Sequence, residues 1–281
     1  MVSITRQTLT DEIRRQQQLA QEITKGQIAV SSGKKYSAPS DNIQSWVQIS
    51  EIGKMQASYS AWTGNIEYGQ SRSAKAENSL DGVNNLMVRA QELLVQASST
   101  STGDTGRMAI ASDLRGIRET LSVLLNETDY QGIPVFDDGT PTRIPVGRGI
   151  QLEAVGTRQS ISEGIDVNGT PMSLDDILAS AISAVESGDD AARTNALGAV
   201  ETGVDHVINE QANQGIRAER LSSTAEHLTD LTLSLKEKRS SLEETDLTEA
   251  IANIQQKLLT LEAAQAAFAR INQKSLFDLI S

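Results

Sequence analysis

Residues Val200 to Leu242 read VETGVDHVINEQANQGIRAERLSSTAEHLTDLTLSLKEKRSSL. Val200, Val204, Val207, Gln211, Gln214, Ala218, Leu221, Thr224, Leu228, Leu231, Leu235, Lys238 and Leu242 follow one another at steps of three and four. That spacing puts them on one face of a helix. A seam this long with no proline predicts a helix of many turns, packed against another helix.

Working outward, the same count finds partners for it. Ala76, Leu80, Val83, Met87, Ala90, Leu94 and Ala97 make a second strong seam, and Ile110, Leu114, Ile117, Leu121 and Leu124 a third. Leu247, Ile251, Ile254, Leu258, Leu261, Gln265 and Phe268 make a C-terminal seam. Between Leu242 and Leu247 the step is five, so the phase changes and a joint is expected at Glu243 to Asp246. Near the N-terminus Leu9, Ile13, Gln16, Ala20, Ile23, Gln27 and Val30 form a weaker seam, two of whose members are Gln.

Punctuation sets the remaining boundaries. Ser31-Ser32-Gly33 and Ala38-Pro39-Ser40-Asp41 bracket a loop, with Asp41 or Ser40 as cap of the next helix. Ser98 to Gly106 separates the second seam from the third. Residues 129–171 hold four of the five prolines, and Ile150, Leu152 and Ala154 alternate with polar residues as in a half-buried strand. Ile165 and Val167 are expected as its partner strand, with turns at Asp137-Asp138-Gly139 and Asn168-Gly169. Gly132 suits a left-handed position. Ser173 to Asp176 has the form of a capping box, opening a short helix through about Val185. The long helix then starts near Asp190.

The expected fold is mainly α: a long antiparallel, coiled-coil-like helical rod formed by the N- and C-terminal arms, with a small inserted β module. Residues 1–42 and 247–281 form a terminal coiled-coil assembly region, 43–128 and 173–246 the helical rod, and 129–172 the β-rich module.

Composition narrows the function. The chain of 281 residues has three Phe, four Tyr and two Trp, few anchors for an aromatic-lined pocket. Its 25 basic against 37 acidic residues give a net charge of −12, which disfavours a nucleic-acid partner. No cysteine is present, which removes disulfides and thiolate chemistry. The first twenty residues lack the apolar core of a cleavable signal, and no stretch approaches the length of a membrane helix, so no membrane partner is expected. The two histidines, His206 and His227, lie far apart on one predicted helix, and Gly147-Arg148-Gly149 lacks the ending of a phosphate loop. Glu243, Glu244, Asp246 and Glu249 read as caps of the joint, not as a cation site. No catalytic, cofactor-binding or metal-binding residue is expected, and the chain is not expected to be an enzyme. Trp46 and Trp62 read as core, with a subunit contact as the alternative.

The terminal seams point elsewhere. A helix with Gln in its seam gains little by folding back within one subunit and is stabilised by packing. Two such segments at opposite ends suggest association completed by neighbouring subunits, with a self-contained antiparallel bundle whose ends fray as the alternative.

Several motifs resemble the flagellin superfamily. Ser31-Ser32-Gly33-Lys34-Lys35 followed by Pro39-Ser40-Asp41 is similar to the stretch after its first helix. Leu80, Val83, Leu86, Arg89, Glu92, Leu93, Val95, Gln96 and Ala97 resemble its conserved-domain helix. Asn126, Thr128, Tyr130, Gly132, Val135 and Phe136 resemble its turn, and Glu244 to Ala250 its joint before the last helix. The ending Ser275-Leu276-Phe277-Asp278-Leu279-Ile280 is similar to members at the hook–filament junction, with a filament-forming flagellin as the alternative. The resemblance implies a non-enzymatic structural subunit of the extracellular flagellum. It would be secreted unfolded by type III export and assembled through its terminal helices into a homo-oligomeric ring. The implied partners are a neighbouring hook-associated protein, flagellin and an export chaperone. The residues expected at the assembly interface are Leu9, Ile13, Ala20, Ile23, Leu258, Leu261, Phe268, Leu276 and Phe277.

Overall fold

The computed structural model describes residues 2–129 and 131–277, with side-chain surroundings for 10–129 and 131–270. It is mainly helical. The order is α1 (Val2–Ser32), α2 (Ile43–Ala97), α3 (Asp104–Leu125), β1 (Arg143–Gly147), β2 (Ile150–Glu153), α4 (Arg158–Ser162), β3 (Ile165–Val167), β4 (Thr170–Met172), α5 (Leu174–Ser187), α6 (Asp190–Glu243) and α7 (Leu247–Phe277). The chain packs as two compact units, and α2 and α6 contribute to both. A central unit comprises residues 58–231. A terminal unit comprises residues 1–57 and 232–281.

The central unit is built on the strong seams. Every member of the Ala76–Ala97 seam is buried, and so are Val200, Val204, Val207, Leu221 and Leu228 of the α6 seam. Pairs such as Met87 beside Gly203 and Asp81 bonded to Gln211 run in opposite directions along α2 and α6, so the two helices are antiparallel here. Ile110, Leu114, Ile117 and Leu121 of α3 join the same core, as do Leu174, Ile177, Leu178 and Ala181 of α5. Burying each such aliphatic side chain contributes about 1.5–3 kcal/mol, before the entropy of ordering it.

Caps follow the sequence closely in places. Ser173 Oγ accepts from Asp176 N at 3.0 Å while Ser173 N donates to Asp176 Oδ2 at 3.1 Å, a complete capping box for α5. Asn42, not Asp41 or Ser40, caps α2: its Oδ1 accepts from Ser45 N at 3.0 Å. Asp41 turns back instead and accepts from Ser37 N and Ala38 N, both at 3.0 Å. Those two backbone hydrogen bonds hold its carboxyl below the usual aspartate range.

The β residues form two separate antiparallel hairpins. β2 pairs with β1, with Ile144 opposite Leu152, and not with Ile165–Val167 as expected. β3 pairs instead with β4, immediately after it in sequence. The turn Asn168-Gly169 has φ of 54° and 83°, the positive pair that a two-residue hairpin demands, and Asp166 Oδ1 accepts from Gly169 N at 2.8 Å.

Polar side chains anchor this region to the helices. Arg72 of α2, buried beside Asp137, donates to its Oδ1 at 3.0 Å and to Pro134 O at 3.1 Å. Gln214, a polar member of the α6 seam, donates to Ser73 Oγ and to Ala154 O, each at 2.8 Å. Trp62 packs against the core, with its ring 5.4 Å from that of Tyr59.

Candidate assembly surface

The terminal unit starts from weaker sequence. α1 and α7 lie against each other, with Gly26 beside Ile254 and Glu22 paired to Lys257 at 2.9 Å. These contacts set an antiparallel register. At Gly26 the helices come so close that an added Cβ would meet Ile254 Cγ1 at 2.8 Å. A glycine within a helix costs about 1 kcal/mol relative to alanine, and here it permits the approach.

The two connections at one end of the pair are laced together. Lys34 and Glu244 form an antiparallel bridge, Lys35 N donates to Glu243 O at 2.6 Å, and Thr245 N donates to Gly33 O at 3.1 Å. Asp246 caps α7 by accepting from Thr248 N at 2.9 Å and Glu249 N at 3.1 Å. The joint therefore falls at Glu244–Asp246, where the seam changes phase.

Burial in this unit is sparse. Among the described residues, Ile23 and Ile52 are its only buried hydrophobic side chains. Ile43 (73% exposed), Val47, Leu233, Leu247, Ile251 and Leu259 (69% exposed) present large apolar surface to solvent. Gln16 Nε2 is buried and finds no hydrogen-bond partner among the described residues. Such an orphan costs about 1–3 kcal/mol.

The expected interface residues separate into three groups. Ile23 is buried, and Leu261 and Phe268 are half-buried, within the unit's own packing. Ile13, Ala20 and Leu258 face outward. Leu9 lies in α1, and Leu276 and Phe277 lie in α7, but their side chains fall outside the described residues.

Among the described α1 residues the less exposed positions are Glu12, Gln16, Leu19, Ile23, Gly26, Ala29 and Val30. This face shares Gln16, Ile23 and Val30 with the weak seam but turns Leu19 inward instead of Ala20. Counting steps of three and four in so polar a helix admits both phases. Gly26 was the available signal, because a glycine amid helical sequence marks a close approach.

Trp46 is half-buried, lies outside the core cluster and lines a groove on this unit, so only Trp62 packs on the core. Among the described residues no helix is long and apolar enough to cross a membrane.

Comparison with known proteins matches this architecture at both ends. Residues 4–140 match the family model of the bacterial flagellin N-terminal helical region, and residues 197–280 that of the C-terminal helical region. The chain belongs to the flagellin family and is a structural subunit of the bacterial flagellum.

Within the family it is similar to flagellar hook-associated protein 3 of Escherichia coli (strain K12), with 24% identity covering 89% of this chain and 90% of that protein. It is also similar to flagellin FljK of Caulobacter vibrioides, with 23% identity covering 90% and 88%. Among solved structures, flagellar hook associated protein-3 from Legionella pneumophila has a TM-score of 0.63 at 11% identity, covering 69% of this chain and 98% of that one. The Bacillus cereus protein FlgL has a TM-score of 0.55 at 19% identity, covering 66% and 96%. At those identities the structural likeness speaks for the fold alone.

Proposed function

We propose that the chain is the subunit that joins hook to filament, and that neighbouring subunits complete its terminal unit. The observation that carries this reading is the uneven core. The central unit holds nearly all the buried aliphatic side chains, while the terminal unit buries only Ile23 and Ile52 among the described residues. Its outward apolar side chains gain burial only when other subunits surround them.

The same weakness suits export. A unit with so little core of its own is easily kept unfolded through a narrow channel, with a chaperone covering its apolar helix beforehand. The role is structural, with no catalysis. The subunits would form a ring outside the cell, between a neighbouring hook-associated protein and flagellin.

The junction placement is supported by the likeness to hook-associated protein 3 and by the ending Ser275 to Ile280. The likeness to flagellin FljK, at nearly the same identity, supports a filament-forming subunit as the second reading. Antibody labelling of intact flagella separates them. The junction subunit labels a short zone at the filament base, and a filament subunit labels its whole length. Deleting Ser275–Ser281 is expected to leave the subunit's helicity largely intact and to abolish assembly. Normal motility of the truncated strain would count against assembly through the terminal helices.

A further inference from the structure

The terminal unit carries an open groove of about 690 Å³ between the loop after α1, the first turns of α2 and the end of α6. Trp46, Ile49 and Tyr36 give it an apolar, partly aromatic lining, and none of the three is fully buried. Lys34, Lys54 and Arg239 stand around it, against one carboxylate, Glu243. Arg239 is held in place by Glu243 at 2.9 Å and by Gln56 at 3.0 Å. In a chain of net charge −12 this is a local excess of positive charge. Half-buried Trp and Tyr beside a fixed Arg is the composition of a protein-binding hot spot.

We infer that this groove receives the segment Ser275–Ser281 of a second copy of the chain. The inference rests on the reading that other subunits complete the terminal unit, and it names which segment goes where. The segment's chemistry is complementary to the groove. Leu276, Phe277, Leu279 and Ile280 are apolar, Asp278 is its one charged side chain, and that charge opposes the groove's.

The subunit's own segment is out of reach. α7 begins at Leu247, four residues beyond Glu243 in the groove wall, and runs to Phe277. At 1.5 Å per residue that distance is about 45 Å. The residues Asp278–Ser281 extend at most about 14 Å further, so they cannot return. The occupant therefore comes from another copy, displaced by about the length of α7. Such a head-to-tail contact closes into a ring where the rotation between copies allows it, and otherwise continues as a helical array.

The test is binding of a fluorescently labelled peptide spanning residues 271–281 to the full-length chain, read by anisotropy. Saturable binding that weakens with salt is expected. Trp46→Ala should weaken it roughly tenfold or more, and Lys34→Glu should weaken it severalfold. A peptide carrying Asp278→Lys should bind the native chain poorly and regain affinity on the Lys34→Glu chain. The inference is overturned if the peptide does not bind, or if it binds the native, Trp46→Ala and Lys34→Glu chains equally. Both variants are first checked for native helicity, and Lys34, exposed, serves as the control should Trp46→Ala disturb the fold.

The outcome is independent of flagellar labelling. Failure of the peptide with label at the filament base removes only this contact. Groove-dependent binding with label along the whole filament removes only the junction placement.

Discussion

Gly26 shows how one missing Cβ holds two helices together. Alanine is the better helix former by about 1 kcal/mol, yet its Cβ would sit 2.8 Å from Ile254 Cγ1. Overpacking of this kind costs about 1–3 kcal/mol, so the clash outweighs the propensity. Gly26→Ala is expected to loosen the α1–α7 pair, seen as faster amide exchange in both helices. Adding Ile254→Ala should restore slow exchange by returning the lost space.

A second residue-scale effect depends on pH. Arg118 Nε and Nη2 each donate to Asp175 at 2.6 Å, and this pairing holds the Asp175 carboxyl below the usual aspartate range. A lowered carboxyl stabilises the fold above its unfolded-state value, and the gain is lost as pH falls through the folded-state value. Arg118→Met should therefore lower the unfolding free energy of the central unit at pH 7 by only about 0.2–1 kcal/mol, because the pair is exposed. The gap from the native chain should close as pH falls below the usual aspartate range, because the folded-state carboxyl lies lower than the unfolded one.

At the scale of elements, legibility followed the strength of the local signal. α6 begins at Asp190, the expected start, and ends at Glu243, near where its seam changes phase, and α5 opens on the expected capping box. The hairpin partners were not legible. β1 contains Pro145 and β4 contains Pro171, and proline within a short run argues against a strand. Both are tolerated because each sheet has only two strands, leaving an edge where no backbone donor is required. The bonds that fix this region were equally hidden, since Arg72 and Asp137 are 65 positions apart. Removing one member of a buried ion pair costs about 3–5 kcal/mol. Arg72→Ala is accordingly expected to expose residues 129–172 to limited proteolysis while α1 and α7 keep their exchange behaviour. Equal protease resistance in the native and variant chains would show that the pair is dispensable. In the terminal unit, the sequence indicated that the two terminal helices lie side by side but not which face of α1 turns inward, because its polar seam fits two phases.

For the whole molecule, the distribution of apolar burial matters more than its sum. The central unit's buried aliphatic side chains come from α2, α3, α5, α6 and both hairpins among others, whereas among the described residues of the terminal unit only Ile23 and Ile52 are buried. Heat should therefore not melt this chain in one step. The terminal unit is expected to lose structure at a lower temperature, in a broad transition with little heat absorbed, and the central unit later in a sharp one. A calorimetric enthalpy larger than the van't Hoff value would record the difference. A single midpoint for the isolated subunit would then describe neither unit. Assembly should raise mainly the first transition, because neighbours add burial where the chain lacks it. The temperature gap between the two transitions thus becomes a direct gauge of how far a given subunit has been incorporated.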